Sequence, residues 1–197
     1  GGNAANITGS TTSDLEVQYS YILYVPSEYG TIAAAIAAAQ AGAIIKIAAG
    51  TYTEAGLTVE KNLTFIGEDP ATTIVQAAET YGTATDRVFY MSDLYRPEKA
   101  IFHNLTIQHG NVLGQFGGGG IRSFYTAIEM YNCIITKNKV TGTGSEAAGG
   151  GLYVRGDFLI LSDCLISDNE LGAGSSGSNA IGGGAWFYGS NATVKNC

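Results

Sequence analysis

Apolar and polar residues alternate in short runs along most of this chain, and the runs recur at a nearly constant interval. Two and four positions ahead of a polar residue at 104, 132, 163 and 196 lie Phe102 and Ala100, Met130 and Ile128, Leu161 and Leu159, and Val194 and Ala192. One and three positions behind it come Leu105 and Ile107, Cys133 and Ile135, and Cys164 and Ile166. A period of two puts these on one face of a strand, leaving His103, Glu129, Tyr131, Ser162 and Lys195 on the other. The polar markers are 28, 31 and 33 residues apart, and a triple glycine at 118–120, 149–151 and 182–184 moves with them. NLTF at 62–65 reads as a looser, earlier copy, placing Leu63 and Phe65 in line with Leu105 and Ile107.

Two landmarks that move together mark repeated structural units whose length varies only in their connections. A unit of about thirty residues holding about three strands and no helix buries its apolar faces if each copy stacks on the last, with backbone groups bonding along the stack. The expected fold is therefore all-β: a parallel β-helix, or solenoid. An antiparallel sandwich offers no reason for the same corner residues in every unit. Gly119, Gly150 and Gly183 would let the backbone bend or approach closely at one corner. Asn132, Asp163 and Asn196 would occupy another, their side chains bonding to nearby backbone.

The first half is less regular. GTIAAAIAAAQAG predicts one short helix over about 31–41, because alanine favours helix, Ile32 and Ile36 share a face, and Gly42 stops it. Its expected role is to cover the open end of the core. Strands are expected at 44–47, 57–59, 63–66, 73–76, 87–90 and 100–102, with exposed connections at 79–86 and 92–99. The Gly-, Asn-, Ser- and Thr-rich start, 1–16, is expected to be flexible, and 17–197 to form a single domain. Cys197 falls where a new strand should start, so the C-terminal end is expected to be uncapped or truncated. A further stretch of chain, or a neighbouring subunit in a homo-oligomer, would then cover it.

The order GTI, AI, AG and GTYTE ahead of KNLTFIG resembles the amino-terminal capping segment of right-handed parallel β-helix proteins in the pectin-lyase-like superfamily. The triple glycine, apolar strand, Asn-Cys step and closing Asn138 or Asn169 resemble the repeats of bacterial surface and autotransported members. The resemblance spans about 23–197. It implies right-handed winding and an extracellular or cell-surface location. It leaves activity open, since the superfamily holds polysaccharide lyases, hydrolases, pectin methylesterases, tailspikes, adhesins and passive stalks.

Charge narrows the partners. A net charge of -7 with only 10 scattered Lys and Arg disfavours nucleic acid and anionic membranes, which need clustered cations. No apolar run has transmembrane length. The glycine-rich loops lack the GK[ST] ending of a phosphate loop, so no nucleotide or other cofactor is expected. Cys133, Cys164 and Cys197 arrive in single file with no convergent histidine, which excludes a metal site. They read as buried inert thiols, with a vertical Cys133–Cys164 disulfide as the alternative. Glycosylation sequons stand at Asn6, Asn62, Asn104 and Asn191.

Outward positions carry any chemistry. His103 and Tyr131 share one outward row; Arg122, Tyr153 and Trp186 share another, and aromatic faces beside a guanidinium suit sugar rings. Loops 137–148 and 168–181 could instead fold over these aromatics, or the local register could reverse and make them core. Glu129 and Asp157 give no convincing carboxylate pair, and Arg122, Arg155 and Lys195 have no acidic column beside them, so no catalytic residue is assigned. The paired aspartates and arginine of the resembling methylesterases have no match here. The leading expectation is a non-enzymatic structural module, adhesin or filament subunit. The alternative is a carbohydrate-active enzyme, such as a lyase, hydrolase or esterase, or its sugar-binding domain, with a polysaccharide as partner.

Overall fold

The computed structural model describes residues 21–92, 99–113, 117–142, 148–156, 158–173, 181–189 and 191–197. The chain winds in stacked turns. The first holds β1 (Ile22–Val25) and α1 (Ile32–Ala38). The second holds β2 (Ala43–Ile47), β3 (Gly50–Thr53) and β4 (Leu57–Val59), and the third β5 (Leu63–Gly67), β6 (Thr73–Gln76) and β7 (Phe89–Ser92). The fourth runs through β8 (Lys99–His103), β9 (Thr106–Gln108), β10 (Asn111–Leu113) and β11 (Ile121–Phe124). The fifth repeats this with β12 (Ala127–Tyr131), β13 (Ile134–Thr136), β14 (Lys139–Gly142) and β15 (Leu152–Arg155). The sixth holds β16 (Phe158–Ser162), β17 (Leu165–Ser167), β18 (Glu170–Ala173) and β19 (Ala185–Tyr188), and β20 (Asn191–Lys195) follows.

Equivalent strands pair in parallel into four sheets: A (β1-β2-β5-β8-β12-β16-β20), B (β3-β6-β9-β13-β17), C (β4-β7-β11-β15-β19) and D (β10-β14-β18). This is a right-handed parallel β-helix with a capping helix. Three strands per turn were expected; the later turns have four, because sheet D forms on the way out of sheet B. Its apolar content is one satellite cluster of Val112, Val140 and Leu171, too sparse in the sequence to stand out from the polar connections around it.

One alignment is corrected. Leu63 and Phe65 lie in sheet A opposite Ala100 and Phe102, not in the column of Leu105. NLTF therefore precedes the corner instead of following it. The place of Leu105 in the third turn is taken by chain next to Gly67, where a Cβ would lie 2.7 Å from Leu105 Cδ2. The later column holds: Ile107, Ile135 and Ile166 are in register, and Leu105, Cys133 and Cys164 are buried in one core. GTYT, outside the expected strands, is strand β3.

Inward side chains of sheets A, B and C fill a continuous core. Phe65 and Phe102 stack at 5.1 Å, and Phe89 meets both edge-on at 5.5 and 5.1 Å, each such pair adding about 1 kcal/mol beyond its burial. At the A-to-B corner Asn104, Asn132, Asp163 and Asn196 all take left-handed φ, 50–58°, which short polar side chains tolerate because they can bond locally. Asn132 Nδ2 donates to Asn104 Oδ1 at 2.9 Å, and Asn196 Nδ2 to Asp163 Oδ1 at 3.0 Å. Farther round, fully buried Asn138 donates to Ile107 O and Asn169 Oδ1 and accepts from Gly110 N. At the glycine corner, a Cβ on Gly119 would lie 2.5 Å from Lys139 O and 2.7 Å from Gly150 O, so close backbone approach requires glycine there. Gly150 is equally hemmed in by Gly183 O and Glu170 O, whereas Gly183 has nothing nearer than 3.8 Å.

Helix α1 closes the N-terminal end against β1, β2 and β4 with Ile32, Ala35 and Ile36. It ends at Ala38, short of the expected 41. Seven residues make a marginal helix alone, and its ends are held from outside. Thr31 Oγ1 accepts from Ala34 N at 3.1 Å, and the Glu54 carboxylate accepts from Ile32 N at 2.7 Å and Ala33 N at 2.8 Å. At the other end Lys61 Nζ donates to Ala39 O at 2.7 Å. Opposite charges thus sit at the matching ends of the helix dipole. The N-terminal segment 1–16 lies outside the described residues, and β20 with Cys197 is exposed.

Candidate functional site: the outer face of sheet C

Strand register assembles this face. Because Leu57, Phe89, Ile121, Leu152 and Ala185 point inward in one row, the next residue on each strand points outward: Thr58, Tyr90, Arg122, Tyr153 and Trp186. Two residues further along, Phe124, Arg155 and Tyr188 form a second outward row. Side chains in adjacent rungs then lie about 4.8 Å apart.

Rings and guanidinium groups alternate across the two rows. Arg122 Cζ is 5.5 Å from the Tyr90 ring, 5.6 Å from Phe124 and 5.8 Å from Tyr153. Arg155 Cζ lies 5.1 Å from Phe124 and 5.6 Å from Tyr188. Tyr153 stacks on Trp186 at 4.6 Å, and Trp186 on Tyr188 at 5.6 Å with planes 4° apart. Stacking between rungs immobilises both partners, so the surface is stiff before any ligand arrives.

The expected row of Arg122, Tyr153 and Trp186 is thus brought together, but its members differ in exposure. Tyr153 is only 1% exposed, although Leu152 and Val154 on either side are core. The register is therefore not reversed. Chain entering the glycine corner lies on the ring: a Cβ on Gly117 would sit 2.8 Å from Tyr153 Cδ2. Trp186 is half-buried and Tyr188 60% exposed. The centres of the loops expected to cover them, 143–147 and 174–180, lie outside the described residues, as does Asp157.

Reading one row at a time missed Tyr90, Phe124, Tyr188 and Arg87, whose Cζ lies 5.6 Å from the Tyr90 ring. The available signal was alternation itself, which places residue i+2 beside residue i on the same face. Tyr90 was hidden by the long connections on either side of β7.

His103 and Tyr131 lie elsewhere, on the outer face of sheet A. Their rings stack at 4.8 Å, Tyr131 Oη donates to Glu129 Oε2 at 3.0 Å, and Lys99 Nζ reaches Glu129 Oε1 at 3.1 Å. Burial lowers the His103 pKa from its ordinary value, with the Glu129 charge opposing. Tyr131 is raised by burial and by its bond to Glu129. This cluster pairs its charges internally and shares nothing with the sheet C face.

The cysteines are free thiols, Cys133 and Cys164 buried and Cys197 exposed. The neighbouring Cys164 sulfur and burial hold the Cys133 thiol above the ordinary range. No cluster of three His, Cys, Asp or Glu able to hold a metal occurs among the described residues. Of the sequons, Asn62 Oδ1 accepts from Lys99 N at 2.7 Å, Asn104 is committed to its corner ladder, Asn191 is exposed, and Asn6 lies outside the described residues. No helix among the described residues is long and apolar enough to cross a membrane.

No protein-family model matches the chain, and no curated protein matches it. Among solved structures it is similar to pectin methylesterase PemA from Erwinia chrysanthemi, with 20% identity and a TM-score of 0.52 over 94% of this chain and 56% of that one. A pectin methylesterase mutant in complex with a hexasaccharide matches at 16% identity and a TM-score of 0.46, over 83% and 60% of the two chains. The chain thus spans a little over half the length of these structures. The likeness to the first of these shows the fold, a right-handed parallel β-helix. It also corrects the leading functional expectation. PemA is a pectin methylesterase, not a structural module, adhesin or filament subunit, so the alternative, carbohydrate-related reading is the one favoured.

Proposed function

We propose that this chain supplies the polysaccharide-binding face of an extracellular, carbohydrate-active β-helix, and that the outer surface of sheet C is the site. The observation carrying the proposal is the stiff run of half-buried and exposed rings, Phe124, Trp186 and Tyr188, interleaved with Arg155 and Arg122. A sugar ring presents an apolar C–H face and a rim of hydroxyls; the aromatic platforms accept the first and the guanidinium donors the second. A surface running along the axis at rung spacing suits a polymer better than a single small molecule.

The fold shared with pectin methylesterases supports a polysaccharide ligand. No pair of carboxylates converges on this face among the described residues, so the reading rests on binding and assigns no catalytic residue. The test is a panel of pectin, xylan, β-glucan and sulfated galactan, scored for retention of the chain and for released methanol, reducing ends and unsaturated products. Retention on at least one polymer, lost in Trp186→Ala, is expected. Absence of retention on every polymer would overturn the proposal.

A further inference from the structure

Just past the left-handed corner, the fifth and sixth turns bring two thiols together. Tyr131 pairs with Ser162 before the corner and Ile134 with Leu165 after it, so Cys133 and Cys164, 31 residues apart in sequence, stand one directly above the other. A rung spacing of about 4.8 Å falls inside the roughly 4.4–6.8 Å between Cα atoms that a disulfide spans. The rung is held by backbone, since Cys133 O accepts from Leu165 N at 2.9 Å. The two side chains also leave that backbone in the same direction. Cys133 Sγ is 3.3 Å from Tyr131 O and 3.5 Å from Phe102 O in the preceding turn; Cys164 Sγ is 3.3 Å from Ser162 O and 3.5 Å from Met130 O in the preceding turn. Neither side chain diverges from the other, as it would in neighbouring cysteines that cannot be joined.

The pair differs from two inert core thiols. Both are buried, but the Cys133 thiol bonds to the Cys164 sulfur. That contact and then burial raise the Cys133 pKa, while the same contact lowers that of Cys164. One proton is thus held on Cys133 while Cys164 moves toward the thiolate, the form that attacks a disulfide. Access is unequal as well. Cys164 is flanked by exposed Asp163 and by Leu165, which is 54% exposed, so local opening of one corner reaches it. Cys133 lies deeper, between Leu105 and Cys164 in the core column.

We propose that Cys133 and Cys164 form a modification site, a dithiol that reacts with a low-molecular-weight disulfide, RSSR, and cross-links the fifth turn to the sixth. The Cys164 thiolate attacks one sulfur of RSSR, forming a mixed disulfide and releasing RS⁻, which takes from water the proton that Cys164 gave up. Cys133 then attacks the Cys164 sulfur. The Cys133–Cys164 bond forms, the Cys164–SR bond breaks, and the second RS⁻ leaves with the Cys133 proton. The protein loses two electrons and RSSR is reduced to two RSH. The bond fixes the sixth turn, which carries Trp186 and Tyr188 on β19, to the turn before it. It stands independently of the polysaccharide reading. Cys197 Sγ accepts from Cys164 N at 3.4 Å and is the other thiol within reach, so the two pairings must be told apart.

The full chain is reduced, desalted and incubated with glutathione disulfide at neutral pH. It is then quenched in acid, alkylated while unfolded and mapped by mass spectrometry without reduction. A peptide pair joined through Cys133 and Cys164 is expected, with Cys197 alkylated, and the same link should form in Cys197→Ser. In Cys133→Ala, which lacks the second thiol, the mixed disulfide should accumulate on Cys164. The linked chain should melt higher than the reduced one by roughly 5–10 °C, a gain removed by a phosphine reductant.

Cys133 and Cys164 both alkylated after exhaustive incubation, a link between Cys164 and Cys197 instead, or a link that fails to form in Cys197→Ser each overturns the pairing. The wild-type chain and Cys197→Ser are enough for that decision, whether or not Cys133→Ala folds. A linked chain that melts no higher than the reduced one overturns the claim that the bond fixes the sixth turn.

Discussion

The outer faces of sheets A and C are built on the same coil, share one core and use the same strand alternation, yet they solve the problem of outward side chains differently. On sheet A, Lys99, Glu129 and Tyr131 satisfy one another within hydrogen-bonding distance. On sheet C, cations lie against rings in neighbouring rungs. The first arrangement closes a surface and the second prepares one. In a stacked fold the inward positions are constrained by packing, so differences in chemistry between faces accumulate on the outward positions.

The largest effect expected from breaking this contrast is on stability. Tyr153 belongs to an outward row yet is buried, so Tyr153→Ala should destabilise by about 3–5 kcal/mol, whereas Tyr131→Ala on sheet A should lose about 1 kcal/mol or less. Denaturant unfolding of the two variants checks this, and equal losses would remove the asymmetry. Next comes ligand binding: Trp186→Ala should weaken a retained glycan about tenfold or more, while Tyr131→Ala leaves its Kd unchanged. Arg155→Met keeps the aliphatic stem but removes the donors between Phe124 and Tyr188, and a several-fold weakening is expected by titration. The matching Lys99→Met should leave binding alone and shift stability by under about 1 kcal/mol, as for an exposed ion pair.

The smallest effect is a pH dependence confined to sheet A. His103 has its folded pKa below the ordinary 6.5, so the unfolded chain takes up the proton first. Stability from this group is complete above pH 6.5 and declines as pH falls through 6.5 toward the folded value. The His103 ring resonance should titrate below 6.5, and Glu129→Gln should push the midpoint lower still, since that carboxylate works in the opposite direction. A midpoint at or above 6.5 would mean that the stacked pair is not desolvated.

Much of the fold was legible because period-two alternation and two moving landmarks are local signals that stacking leaves intact. Asn132, Asp163 and Asn196 stand at one left-handed corner, and Gly119 and Gly150 at a close approach. The misplacement of Leu63 shows the limit. NLTF and NLTI are nearly identical strings, but one enters the corner and the other leaves it, and only hydrogen-bond register separates them. Sheet D escaped notice because Val112, Val140 and Leu171 lie in very short apolar stretches amid polar loops. At the site, Arg122, Tyr153 and Trp186 were legible from equal steps along the repeat. Tyr90 lay behind connections of unequal length, and Arg87 was not in the repeat at all.

By itself, then, the order of residues determined that the chain coils, which side of each strand enters the core and which residues can stand at the corners. These follow from alternation, chain reach and backbone sterics, all of which act over a few residues. Only the tertiary structure decided that Tyr153 is covered while Trp186 is not, that His103 and Tyr131 face away from Arg122, and that Arg87 and Arg122 converge on one ring. Those outcomes depend on which rung lies above which, and register between distant strands is settled by packing the whole stack at once.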